Sequence, residues 1–80
     1  MGGKIWNPWA EVVVTAAAGE HWRARFPSLD LWSSYRSGFP THRPHGMAVV
    51  NLVDGVAFVL KPDGERYVMT AVEEWGPAGP

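Results

Sequence analysis

The sequence predicts an α+β domain in which two N-terminal helices pack on a three-stranded antiparallel β-meander. Three observations lead there. Asp54-Gly55 separates the mainly apolar runs Met47–Val53 and Val56–Lys61, and Pro62-Asp63-Gly64 turns the chain again into Arg66–Val72. An Asp-Gly pair between apolar runs is a strong hairpin signal, because a tight type I′ turn needs positive φ at both central positions. Upstream, Trp9, Val12, Val13, Ala16 and Ala17 follow the i, i+3, i+4 spacing of one helical stripe.

Taken in order, the chain divides into a helical part 7–37, a loop 38–46, a meander 47–75 and a tail 76–80. Asn7 is placed as an N-cap, with Pro8 at the first helical position, where its missing N–H costs nothing. The first helix is expected to run past Gly19, with a kink there, until Pro27 stops it. The rival placement makes the N-terminal segment an extra strand of the sheet, since three consecutive valines favour extended backbone. Ser28 is expected to cap a second helix over Leu29–Arg36, with Gly38 closing it in the left-handed conformation.

At the second turn, a type I turn with a glycine bulge would set Lys61 opposite Glu65 and Phe58 opposite Val68. One sheet face would then carry Val49, Val56, Phe58, Leu60, Val68 and Val72. The other would carry Val50, Leu52, Ala57, Val59, Tyr67, Met69 and Ala71. Both faces are apolar. Two short helices cover one of them, which makes a homodimer the expected way to cover the other.

Eighty residues form one small domain with a modest core. No cysteine is present, so disulfides and thiolate metal sites are excluded. The formal charge of −1 argues against a general polyanion binder. It hides a basic middle, with Arg23, Arg25, Arg36 and Arg43, and an acidic C-terminal third. The apolar run Val12–Ala18 is too short to span a membrane, and the expected location is cytoplasmic.

Enzyme signatures are absent: no phosphate-binding glycine loop and no Gly-x-Ser-x-Gly elbow occur. Glu73 and Glu74 are adjacent, and neighbours on a strand point to opposite faces, so they do not share a substrate. His42 and His45 lie three apart in a proline-bearing loop and are weak candidates for metal ligands, with His21 or Asp54 as a third donor. No cofactor is expected.

The basic middle interleaves arginines with aromatic rings. Trp22, Arg25, Trp32, Tyr35, Arg36, Phe39 and Arg43 are therefore the expected binding residues, because Trp, Tyr and Arg are enriched at interface hot spots. Five tryptophans are many for a core this small, so at least one of Trp6, Trp9, Trp32 and Trp75 is expected at the surface. The function these features suggest is a small non-catalytic intracellular protein-interaction module, of the kind phages and mobile elements use as inhibitors or adaptors. A single-stranded nucleic-acid binder and a histidine-loop metal protein or hydrolase are the alternatives.

Overall fold

The computed structural model describes residues 11–43 and 46–75. The expected Asn7-Pro8 cap, Trp6, Trp9, His45 and the tail 76–80 lie outside them. The architecture corrects the predicted three-stranded meander on two helices: it is a five-stranded mixed sheet with both helices on one face. In chain order the elements are β1 (Val12–Val14), α1 (Ala16–Arg25), α2 (Leu31–Arg36), β2 (Phe39–Arg43), β3 (Gly46–Asn51), β4 (Val56–Asp63) and β5 (Arg66–Glu74). The spatial order is β1-β5-β4-β3-β2; β2 to β5 run antiparallel, while β1 lies parallel to β5.

The valines at 12–14 form an edge strand and not a helical stripe. Val12, Val13 and Val14 pair with Tyr67, Val68 and Met69, where β-branched side chains suit a pleated surface. Thr15 then ends the strand and starts the helix. Its backbone N–H and its hydroxyl both donate to the Met69 carbonyl, at 3.2 and 3.1 Å. The same hydroxyl oxygen accepts from the Ala18 N–H at 3.2 Å, as an N-cap does. Helix α1 therefore begins at Ala16, and Gly19 lies within it.

Helix α2 starts two residues later than expected, because the cap is Asp30 and not Ser28. The Asp30 carboxylate accepts from the Ser33 N–H at 2.9 Å. Gly38 does not adopt positive φ, contrary to the left-handed closure expected there. It is required by close approach: a Cβ would lie 2.6 Å from Val49 Cγ1 and 2.8 Å from the Val50 carbonyl oxygen. The segment expected as a loop over 38–46 contains β2, an edge strand, which is where a sheet tolerates Pro40.

Both turns differ from the sequence expectation. Asn51 pairs with Val56, so the first hairpin closes through four residues, Leu52 to Gly55. Gly55 has φ +71°, whereas Asp54 is not in the left-handed region, so this is not a type I′ turn. In the second hairpin Asp63 pairs with Arg66 across Gly64-Glu65, and only Gly64 is left-handed (φ +67°). That leading glycine matches a type II′ turn. Further along, Val59 faces Ala71 while Leu60 faces Met69, which leaves Thr70 as an extra residue in β5. The bulge exchanges two faces relative to expectation: Met69 is fully buried on the helix side, and Val68 lies on the other.

The core forms between sheet and helices from Ala18, Trp22, Tyr35, Val49, Val56, Phe58, Leu60, Met69 and Val72. Three rings define its centre. Phe58 is packed against Trp22 and Tyr35, with centroids 5.5 and 5.4 Å away. On the opposite face Ala48, Val50 and Ala57 are also buried, and Arg43 of β2 reaches Glu73 of β5 at 3.1 Å over the two intervening strands. Glu74, on the helix side, is ion-paired with Arg25 at the end of α1. The adjacent glutamates thus bind two different layers.

Candidate interaction surface

The antiparallel meander places the start of β2, the end of β3, the start of β4 and the end of β5 at one end of the sheet. Four exposed large apolar residues belong to that end. Val53 is 95% exposed, Leu52 61%, Phe39 50% and Trp75 41%. Each position has a local reason. Phe39 opens β2 opposite Val50. Leu52 and Val53 occupy the hairpin loop, and the Trp75 N–H donates to the Gly55 carbonyl at 2.8 Å, holding Trp75 beside that loop.

The loop is fastened from behind by a polar latch. Asn51 is buried; its Oδ1 accepts from the Asp54 N–H at 2.9 Å, and its backbone carbonyl accepts from the Gly55 N–H at 2.8 Å. Its Nδ2 donates to the Ser34 carbonyl at 2.9 Å. The Ser34 hydroxyl in turn donates to Asp54 Oδ2 at 2.6 Å. Helix α2 and the hairpin tip are therefore one hydrogen-bonded unit, which holds Leu52 and Val53 outward with little conformational freedom.

The seven residues expected to bind are not assembled into one surface. Trp22 and Tyr35 are core residues, 4% and 2% exposed. The Trp22 indole N–H donates to the Leu29 carbonyl at 3.0 Å, and its ring stacks on Phe26 at 4.6 Å. Burial, and then the neighbouring Tyr67 phenol, push the Tyr35 hydroxyl up to about 12. Arg25 and Arg43 face the solvent but are engaged by Glu74 and Glu73. Trp32 and Arg36 are exposed on α2, with Trp32 set edge-on to Tyr35 at 5.7 Å. Only Phe39 joins the rim.

A groove of about 360 Å³ lies beside Trp32, lined by Val14, Trp22, Arg23 and Leu29 among others. His42 is exposed on β2, and no group of three potential metal ligands occurs among the described residues. Among the same residues no helix is long and apolar enough to cross a membrane.

Leu52 and Val53 were not legible as surface residues because they continue the apolar run of β3. The available signal was pairing length: a four-residue loop strands both of them beyond the last ladder pair, Asn51–Val56. No protein family, curated protein or solved structure matches this chain.

Proposed function

We propose that the protein is a non-catalytic interaction module that docks another protein through the rim of Phe39, Leu52, Val53 and Trp75. One observation carries the reading: a latched hairpin tip holds Val53 at 95% exposure, at the same end of the sheet as three other exposed apolar side chains. Scattered exposed apolar residues are ordinary, whereas a gathered group with aromatic members marks binding surfaces. Charge favours a protein over a nucleic acid. Asp54, Glu73 and Glu74 border the rim, while Arg25 and Arg43 are ion-paired with two of them, which disfavours phosphate.

The test compares Leu52→Ser/Val53→Ser and Phe39→Ser with Lys61→Ser, which lies towards the other end of the sheet. The rim variants should lose the partner that the wild-type protein captures, and Lys61→Ser should keep it. Stability should change by no more than about 0.5 kcal/mol for the exposed loop pair. Retention of the partner by both rim variants would refute the assignment.

A further inference from the structure

The chain contains the same dipeptide twice, Asp54-Gly55 and Asp63-Gly64, in two different turns. Among Asp-Xaa pairs, Asp-Gly is the most prone to isoaspartate formation, because glycine offers no side chain to hinder attack by its own backbone nitrogen. That nitrogen attacks the Asp Cγ, an N–Cγ bond forms, and one side-chain oxygen leaves as water to give a succinimide. Water then adds to either ring carbonyl. Opening at the former backbone carbonyl leaves the chain running through the side chain, with no net change in mass. The only co-reactant is solvent water.

The two sites present opposite conditions for that attack. At the first, both reacting groups are occupied: the Gly55 N–H donates to the Asn51 carbonyl at 2.8 Å, and Asp54 Oδ2 accepts the Ser34 hydroxyl at 2.6 Å. The peptide is held on its far side too, by the Trp75 N–H on the Gly55 carbonyl at 2.8 Å. Cyclisation there requires the latch between α2 and the hairpin to open first.

At the second site Asp63 and Gly64 are exposed, and beyond the two neighbouring residues no heavy atom lies within 4 Å of where a Gly64 side chain would stand. The restraint on the Asp63 carboxylate is Arg66, whose Nε and Nη2 both lie 3.3 Å from Oδ2. An exposed ion pair of this kind holds its partners weakly.

We propose that Asp63-Gly64 is the site of spontaneous isoaspartate formation in the folded protein, and that the fold protects Asp54-Gly55. The modified turn lies at the end of the sheet away from the apolar rim, and the proposal does not depend on what the rim binds.

The test ages the full-length protein at neutral pH and 37 °C, with and without urea. Peptide mapping by electron-transfer fragmentation then locates isoaspartate, and labelling with a protein-isoaspartate methyltransferase counts it. In urea the two sites should react at rates within about threefold of each other, since both then sample open chain. In the folded protein Asp63 should react at least about tenfold faster than Asp54, which must wait for local opening. A Ser34→Ala variant should raise the Asp54 rate selectively. Equal rates at both sites in the folded protein, or an inert Asp63 where the urea sample reacts, would overturn the proposal.

Discussion

Tyr35 shows how one buried residue couples the core to pH. Its hydroxyl is pushed from 10.0 up to about 12, mainly by burial and then by the Tyr67 phenol. The folded state therefore favours the protonated form. Below pH 10 both folded and unfolded chains carry the proton, and the contribution of the group is fully present. As pH rises from 10 through 12 the unfolded chain loses its proton first, so the native state binds more protons and its stability falls. The loss should reach the order of 1–3 kcal/mol, since each tenfold difference in proton affinity between the two states is worth about 1.4 kcal/mol. Urea midpoints between pH 9 and 12 measure it, and the Tyr35→Phe variant should lose distinctly less stability over that interval. Equal slopes in the two proteins would show that Tyr35 ionises equally easily in both states.

At the scale of elements, the informative joint is between α2 and the 52–55 loop. A six-residue helix is too short to be stable alone. Its hold on the sheet comes from Tyr35 in the core and from the bonds linking Ser34 with Asn51 and Asp54. Replacing Asn51 with Ala removes one donor and one acceptor at a buried position and should cost about 2–3 kcal/mol. Asn51→Asp should cost more, because it sets a buried carboxylate beside the half-buried Asp54 and removes the donor to the Ser34 carbonyl. Chemical denaturation ranks the two variants. Amide hydrogen exchange at Asp54 and Gly55 should accelerate in both, which a general loss of stability without local loosening would not produce selectively.

For the whole molecule, the decisive contact is the parallel pairing of β1 with β5. It joins Thr15 to Met69, 54 positions apart, and completes the sheet only when the two ends of the described chain meet. Loop closure on that scale is slow to form. The ladder here runs from the Tyr67 N–H on the Glu11 carbonyl to the Thr15 N–H on the Met69 carbonyl. A Val13→Pro change falls between these bonds and should cost roughly 2–3 kcal/mol. It should also bare the edge of β5 and promote association through it. Thermal unfolding with light scattering checks both effects, and an unchanged melting temperature would show that β1 adds nothing to the sheet.

What the sequence determined by itself is local. The turn glycines, the apolar runs of β3 to β5, the opposed faces of Glu73 and Glu74 and the short helix ending at Arg36 all follow from residue types and nearest-neighbour spacing. So does the exposure of at least one tryptophan, seen at Trp32 and Trp75. What only the tertiary structure decided is non-local. Val12 and Val13 match a helical stripe as well as an extended run of three valines, and what selects the strand is the edge of β5, at the far end of the described chain. The loop before β3 became β2 for the same reason, finding its partner across Pro44-His45. A single unpaired Thr70 moved Met69 into the core, a change of phase that alternation cannot reveal without the partner strand. The binding residues divided likewise. Trp22 and Tyr35 have the composition of a hot spot, but Phe58 lies between them and draws both rings inward. Leu52 and Val53 have the composition of a core, yet the last ladder pair leaves them outside. Residue type sets the tendency of a side chain to be buried; only the closed sheet determines which side chains find cover.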